Sequence, residues 1–471
     1  ATDNVTLDPV VFDALTQMEN KRGFRYDVVI TLQPTSPTLK SETLQKALHE
    51  FIESGSDTYI SAVNKPHLAW TKRGGEFVKL YEKRLNRQQL PPHYIEAGAF
   101  LITKRECVSE QTRIGQNVIV YEISENEAID IDSISDWVVA ESILAKKRIV
   151  LRADGYKEIG MGHIYHCLTL AYNLTAHEVV FVTKNEHKDG INKLQSTNMN
   201  LKIVETDEEF FSFLSEYKPD IVVNDTLDTE AEYVARLKML SKRVVCIEDL
   251  GSGAHEADAV VNALYDGMEQ GQNVYSGSDY VCLRDEFLYS KPAEFHAEVQ
   301  NIVVLFGGTD PSNLTKKAYL AARELHKELP NTRFTFIAGI GYDCDTNGIF
   351  TIEHENIFVV QDVNFISGIL KTADLALTSQ GRTVYELASM GVPSMVMAQN
   401  ERERLHTFAQ MENGFLNLGL GSEIEIHTLV STMKWLICNP QTRVEMRKLM
   451  LRKDLKSGVT REINIILGER L

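Results

Sequence analysis

The segment from Arg148 to Leu174, RIVLRADGYKEIGMGHIYHCLTLAYNL, decides how the larger part of this chain folds. A β-branched strand leads through a glycine-bracketed histidine directly into an amphipathic helix. Gly160 and Gly162 let the backbone approach a ligand, and the helix that begins near His163 directs unpaired N–H groups toward it. The imidazole can accept a proton near neutral pH. The segment therefore predicts an anion site with a base beside it, although a strand-to-helix turn with a capping histidine gives the same pattern.

The composition is that of an ordinary globular protein, with 43% hydrophobic and 24% charged residues among 471. That length exceeds one hydrophobic core and predicts roughly three domains. A net charge of −17 argues against nucleic acid and anionic membranes as partners, so an anionic substrate must meet local basic groups or backbone amides. Six scattered cysteines without a C-x-x-C pair favour reduced thiols over disulfides or a zinc site. No membrane span or signal peptide is visible, so we expect a cytoplasmic protein.

Strand and helix patterns alternate along the chain, which favours parallel α/β architecture. The pattern restarts at the charged Lys146-Lys147-Arg148 and again after Leu288-Tyr-Ser-Lys-Pro292. We therefore predict domains at residues 1–145, 146–290 and 291–471. The last two domains are expected to be Rossmann-like halves that face each other across a cleft.

Two motifs in the last section suit a phosphate. Phe306-Gly-Gly-Thr-Asp310 ends a buried strand, and the amides of its glycines can approach an anion, although a plain β-turn is the alternative. Ser379-Gln-Gly-Arg-Thr383 precedes a helix whose start would hold phosphate through Gly381, Arg382 and Thr383.

Glu386 lies one turn into that helix. A carboxylate at this point can accept hydrogen bonds from two ribose hydroxyls. The alternative is a solvated helix residue. We favour the ribose contact because the surrounding helix is apolar.

These motifs, GMGH, FGGTD and SQGRTVYELASMGVPSMVMAQNERERLHT, resemble the GT-B superfamily of UDP-sugar enzymes, most closely the UDP-sugar hydrolases of pseudaminic acid synthesis and the related spore-coat polysaccharide proteins. The resemblance covers about residues 148–471 and implies that His163 is the catalytic base. Weaker positions for sugar contacts are Gln399, Asn400 and His406. The residues implied to hold UDP are Gly160, Gly162, Gly307, Gly308, Ser379, Gly381, Thr383 and Glu386.

The first 145 residues resemble the later part of an acylneuraminate cytidylyltransferase, which has a nucleotide-diphospho-sugar transferase (Rossmann-like) domain. The motif LQPTSP, Leu32 to Pro37, matches the family's strand-loop motif. The resemblance implies nucleotide or sugar contacts from Gln33, Thr35 and Ser36. A second set, whose guanidinium groups suit a sugar carboxylate, consists of Arg84, Arg87 and Gln88.

Asp130-Ile-Asp132 matches the metal motif of the same family. Alternating positions on a strand would put both carboxylates on one face, as Mg²⁺ with a triphosphate requires. Family members begin with a strand and a glycine- and lysine/arginine-rich loop for the CTP phosphates, and Ala1 falls past that loop. We therefore expect residues upstream of Ala1, and a cytidylyltransferase-like module that is truncated and inactive in this chain.

Together the resemblances imply an enzyme of CMP-nonulosonic acid synthesis. A UDP-sugar hydrolase without a cofactor would be fused to a Mg²⁺-dependent nucleotidyltransferase module. The expected partners are a UDP-sugar, a nonulosonic acid and CTP, with neither nucleic acid nor membrane, and a homo-oligomer formed through the first domain. A GT-B glycosyltransferase and a non-catalytic UDP-sugar binding protein remain alternatives, and the stereochemistry of the sugar stays open.

Overall fold

The structure is a computed structural model that describes residues 6–156, 160–266, 273–361, 363 and 365–469. Within these residues, no helix is long and apolar enough to cross a lipid bilayer. The chain divides into two compact units, Ala1–Lys146 and Lys147–Leu471.

The first unit is built on a four-stranded mixed sheet of order β1-β5-β2-β6, in which β5 runs antiparallel to β1 and β2. The prediction of parallel pairing holds for β2 with β6 but is wrong for the two pairings of β5. A hairpin, β3 with β4, takes the place of a crossover helix between β2 and β5, and antiparallel neighbours need no such helix. The elements are α1 (Leu7–Arg22), β1 (Val28–Leu32), α2 (Ser41–Ser54), β2 (Thr58–Asn64), β3 (Trp70–Arg73), β4 (Glu76–Lys79), β5 (Tyr94–Lys104), β6 (Val118–Glu122) and α3 (Ile134–Ala145).

The second unit begins with a seven-stranded parallel sheet of order β13-β12-β11-β10-β7-β8-β9. Its central strands are continuous apolar runs because helices cover both faces. The elements are β7 (Arg148–Ala153), α4 (Gly162–Asn173), β8 (Glu178–Lys184), α5 (Lys188–Gln195), β9 (Asn200–Val204), α6 (Asp207–Tyr217), β10 (Ile221–Asp225), α7 (Ala231–Leu240), β11 (Arg243–Ile247), β12 (Ala259–Asn262), β13 (Val274–Ser276) and α8 (Asp285–Tyr289).

A six-stranded parallel sheet follows, in the order β16-β15-β14-β17-β18-β19. Two doubly wound parallel sheets confirm the GT-B architecture that the sequence predicts. The elements are β14 (Asn301–Leu305), α9 (Leu314–His326), β15 (Arg333–Ala338), α10 (Cys344–Asn347), β16 (Ile357–Gln361), α11 (Ile366–Leu370), β17 (Leu375–Ser379), α12 (Thr383–Met390), β18 (Ser394–Ala398), α13 (Glu401–Arg404), β19 (Phe415–Leu420), α14 (Ile426–Ile437), α15 (Pro440–Leu451) and α16 (Gly458–Leu467).

The last helix, α16, packs against the first of these two sheets. Its residues Val459, Ile465 and Ile466 share a core with Ile149 of β7 and Leu170 of α4. Residues from the end of the chain thus reach the sheet with which the second unit begins.

Gly339, which follows β15, packs closely against the backbone of Gly307 and Gly308, which follow β14. A Cβ atom at Gly339 would lie 2.3 Å from the carbonyl oxygen of Gly308 and 2.5 Å from that of Gly307. The amide of Gly341 donates to the same Gly308 oxygen at 2.9 Å. Only glycine at position 339 therefore leaves room for this loop.

We predict that Gly339→Ala destabilises the protein by about 1–3 kcal/mol, because the new methyl group must displace backbone atoms. The fall in melting temperature is measured by differential scanning calorimetry. Gly368→Ala is the control, since a Cβ at that glycine of α11 meets nothing within 4 Å. Equal melting temperatures for the two variants would contradict the close approach.

Candidate functional site

The second unit contains a cavity of about 360 Å³ at the carboxyl ends of its strands. Ligands of open α/β sheets bind at this edge. The base and every residue of this unit that the sequence predicts for UDP or sugar binding line it: Gly160, Gly162, His163, Gly307, Gly308, Ser379, Gly381, Thr383, Glu386, Gln399, Asn400 and His406.

His163 is held by a carboxylate that the sequence analysis missed. Its Nδ1 atom donates to Oδ1 of Asp225, the last residue of β10, which pairs with β7. Burial raises the pKa of Asp225, but the imidazoles of His163 and His166 outweigh burial and hold it well below the usual range. Because ionised Asp225 only accepts, Nδ1 of His163 carries the hydrogen and Nε2 remains the basic atom. In the sequence, Asp225 could have been recognised as a site residue because it is the polar end of the apolar strand IVVND.

The same carboxylate binds a second histidine. Nδ1 of His166 lies 2.7 Å from Oδ2 of Asp225, and its Nε2 lies 3.0 Å from Glu462 of α16. His166 belongs to two groups of side chains whose ligand atoms lie within 4.8 Å of one another, one with Cys167 and Asp225, the other with Cys282 and Glu462. A metal ion there would have to displace a proton from His166.

The backbone N–H groups of Gly307 and Gly308, which follow β14, are available to a phosphate. Those at the start of α9 are not. Gly307 has a left-handed backbone with φ of 82°. The first amides of α9 are occupied by Asp310, whose carboxylate accepts from Leu314 N at 2.9 Å and Thr315 N at 2.7 Å. A phosphate at this edge would therefore meet the loop amides and not the start of α9.

Arg382 is paired inside the protein. Its Nη2 atom lies 3.2 Å from Oε1 of Glu248, which follows β11. Glu248 is buried, has φ of 54°, and lines the cavity. Burial raises the pKa of Glu248 to about 7, against the opposing charge of Arg382. The sequence analysis missed this carboxyl group.

Glu386 is buried, so the alternative of a solvated helix residue is wrong. Its two carboxylate oxygens accept from Nε and Nη2 of Arg284 at 2.7 and 2.9 Å. Ribose hydroxyls would have to share these oxygens with Arg284. The third nitrogen of the guanidinium, Nη1, lies 3.2 Å from Glu286.

The three residues predicted to contact the sugar differ in how many of their polar side-chain atoms already have hydrogen-bond partners within the protein. Gln399 uses its amide internally, donating to Asp310 at 2.8 Å and accepting from Ser312 N at 3.2 Å. Asn400 caps α13 through a hydrogen bond from Glu403 N at 2.9 Å. His406 holds the Gln380 carbonyl through Nδ1 at 2.6 Å, and burial lowers its pKa to about 4, which leaves Nε2 as an acceptor.

Glu403 is a second buried acid beside the predicted phosphate position. Its Oε2 accepts from the amides of Gln399 at 2.7 Å and Gln380 at 3.3 Å. Its Oε1 lies 3.5 Å from where a Cβ of Gly381 would stand. Burial raises the pKa of Glu403 to about 7, although the two amides oppose the shift.

In the first unit, two predicted motifs meet beside Gly98 of β5. A Cβ at Gly98, whose φ is 69°, would lie 3.0 Å from Oε1 of Gln33 and 3.4 Å from Oδ2 of Asp130. The Thr35 carbonyl accepts from Ile131 N at 2.8 Å. The LQPTSP loop and the Asp130 segment are therefore neighbours.

One expectation for this unit needs correction. Asp130 and Asp132 lie in the loop between β6 and α3 and not on a strand, because Asp132 N turns back to Asp130 O at 3.1 Å. The other set, Arg84, Arg87 and Gln88, is exposed. Arg87 meets Glu125 at 3.4 Å, and Ser36 is buried while Thr35 is exposed.

No family model matches the chain. The chain is 28% identical over 278 residues to an uncharacterised protein of Methanocaldococcus jannaschii. The matched segment covers 55% of this chain and 57% of that protein. The matched segment thus spans little more than half of that relative. It is 27% identical to the spore coat polysaccharide biosynthesis protein SpsG of Bacillus subtilis, over 63% of this chain and 91% of SpsG.

A relative from Helicobacter pylori spans both units. This protein, pseudaminic acid cytidylyltransferase and UDP-2,4-diacetamido-2,4,6-trideoxy-beta-L-altropyranose hydrolase, is 20% identical over 91% of this chain and 79% of its own length. N-acylneuraminate cytidylyltransferase A of Danio rerio is 29% identical over 24% of this chain and 28% of its own. These relatives confirm the two resemblances and support a place among enzymes of polysaccharide sugar biosynthesis.

Among solved structures, MurG of Acinetobacter baumannii is 15% identical, with a TM-score of 0.48, over 68% of this chain and 99% of MurG. The architecture of the second unit is established above by its own strand order and pairing.

We predict that Glu386→Ala lowers the free energy of unfolding by about 1.5–3 kcal/mol, because two donors of Arg284 lose a charged acceptor in a buried setting. Urea denaturation measures the change. Glu401→Ala removes a carboxylate from the exposed pair with Arg404 and should cost less than about 1 kcal/mol. Equal losses in the two variants would contradict a structural role for the Arg284–Glu386 pair.

Proposed function

We propose that the second unit hydrolyses a UDP-linked, N-acetylated deoxy sugar and that the chain serves the synthesis of CMP-activated nonulosonic acids. The observation that carries this proposal is the Asp225-held His163, which lies in the same cavity as the glycine loops after β14 and β17. The printed activity of the Helicobacter pylori relative supports the choice of hydrolysis.

In the proposed reaction, Nε2 of His163 takes a proton from a water molecule, whose oxygen attacks the anomeric carbon. The bond from that carbon to the phosphate oxygen breaks, and UDP leaves with the electron pair. Asp225 stabilises the imidazolium that forms on His163 and keeps its ring oriented. UDP would leave toward the amides of Gly307 and Gly308 and toward the start of α12, where preorganised donors stabilise its charge.

For the first unit we propose a sugar-activating, nucleotidyltransferase-type module. Oδ1 of Asp130 is buried and has no hydrogen-bond partner within the described residues, which suits a cation ligand. Asp130, with Asp132 beside it, would hold Mg²⁺, and the ion would neutralise charge on a bound triphosphate. Gln33 and Asp130 both approach the Cβ position of Gly98, so Gln33 would face the same ligand.

A panel of UDP-linked diacetamido sugars, analysed by mass spectrometry with and without sugar acceptors, tests the function of the second unit. We expect free sugar and UDP without any acceptor. Product that forms only with an acceptor would favour a glycosyltransferase. Binding of every sugar without turnover would favour a UDP-sugar binding protein.

His163→Ala should reduce hydrolysis by about 10²–10⁴-fold, the usual contribution of a positioned general base. The affinity for UDP, measured by calorimetry, should stay nearly unchanged. His296→Ala is the matched control, because His296 bonds Asp374 through Nδ1 at 2.7 Å and does not line the cavity. Near-wild-type turnover in His163→Ala would remove His163 from the mechanism.

Affinity for UDP-N-acetylglucosamine should fall as the pH rises through about 7, since Glu403 is neutral below its pKa and repels a diphosphate above it. Its pyrophosphate diester does not titrate in this range. Calorimetry at several pH values should give a flatter profile for Glu403→Gln. Glu401→Gln, on the exposed part of the same helix, should keep the wild-type slope. Identical slopes in all three proteins would exclude this role for Glu403.

A further inference from the structure

Behind His163, buried side chains continue into the molecule as a series of alternating carboxylates and histidines. It runs from Glu462 through His166 and Asp225 to His163, and the exposed fractions of these residues are 1%, 3%, 0% and 9%. His163 and His166 are three positions apart on α4, so their side chains share one face of the helix. Neither His166 nor Glu462 is needed to place water or UDP in the reaction described above.

Both ring nitrogens of His166 face a carboxylate. Its Nδ1 lies 2.7 Å from Oδ2 of Asp225, and its Nε2 lies 3.0 Å from Oε1 and 3.1 Å from Oε2 of Glu462. Asp225 is ionised and only accepts hydrogen bonds, so Nδ1 donates to it. With Glu462 ionised as well, Nε2 also donates. A histidine that donates from both nitrogens is an imidazolium cation.

Asp225 is therefore shared between two imidazole rings. One oxygen accepts from His163 and the other from His166. A carboxylate that served His163 alone would raise the basicity of that ring by its full charge. The fixed cation on the other oxygen offsets part of this charge, and it also prevents the carboxylate from rotating away from His163.

We propose that His166 and Glu462 are positioning residues for the base: Glu462 holds His166 as a cation, and this cation orients Asp225 and limits the basicity of His163. The inference rests on the proposed hydrolysis only for its kinetic test. Burial and the charge of Arg382 oppose the cation, but Glu462 and Asp225 raise the pKa of His166 well above its usual value.

Charged groups on several helices and strands affect the electrostatics of these four buried residues. Arg382, at the start of α12, adds positive charge, and Glu248, after β11, adds a carboxyl group whose pKa is raised to about 7 by burial. Burial also raises the pKa values of the Cys167 and Cys282 thiols, so both stay neutral. His406 is kept neutral by burial, which lowers its pKa. Within the described residues, the charges that contact His166 directly are Asp225 and Glu462.

The kinetic test uses His166→Asn, which keeps an N–H donor for Asp225 and removes the charge. Asp225 then acts on His163 alone, so the midpoint of the acid limb of kcat/KM against pH should rise by about one pH unit. His296→Asn, the same change beside Asp374, should leave the midpoint unchanged. A lower rate with an unmoved midpoint would mean that His166 has only a structural role, and would overturn the proposal.

The second test needs no substrate. In ¹⁵N-histidine NMR spectra of the full chain, both ring nitrogens of His166 should carry a proton at neutral pH, because its pKa is raised well above the usual value. In Glu462→Gln it should lose the Nε2 proton at a lower pH. An unchanged His166 titration in this variant would overturn the role of Glu462, and stoichiometric zinc in the purified protein would overturn the cation itself. These spectra decide the inference even if no UDP-sugar is hydrolysed, a result that would refute the proposed function separately.

Discussion

The hydrogen bond from His163 to Asp225 is the interaction on which the site of the second unit depends. It fixes which nitrogen of His163 is basic and directs the ring from the first turn of α4. It exists because β10 lies beside β7 in the sheet, so that Asp225 ends its strand next to the glycine loop that ends at His163. A parallel sheet brings the carboxyl ends of these strands to one edge. The chemistry thus follows from strand order.

Charge in the cavity is balanced mainly by protein groups. Three pairs connect the loops around it: Arg284 with Glu386, Arg382 with Glu248, and Arg402 with Asp228. Because these guanidinium groups already have carboxylate partners, backbone amides remain the natural donors for a diphosphate. This agrees with the net charge of −17, which offers an anion no broad basic surface.

Sequence alone predicted the two parallel sheets of the second unit, because strands covered on both faces form continuous apolar runs. It also predicted part of the cavity lining, because glycines at strand ends mark that edge and because the resemblance to UDP-sugar enzymes implies the UDP and sugar contacts. It missed contacts between distant positions: Asp225 lies 62 residues from His163, Glu462 lies 296 from His166, and Arg284 lies 102 from Glu386. In the first unit, Asp130 and Asp132 look like alternating strand positions, yet a local backbone hydrogen bond turns them into a loop.

The most direct measurement of the central claim is the position of an oxygen label. A UDP-linked diacetamido sugar is hydrolysed by the full chain in H₂¹⁸O, and both products are analysed by mass spectrometry. Attack on the anomeric carbon by water that His163 activates places ¹⁸O in the released sugar and leaves UDP unlabelled. Label in UDP would show attack on phosphorus and would contradict the mechanism.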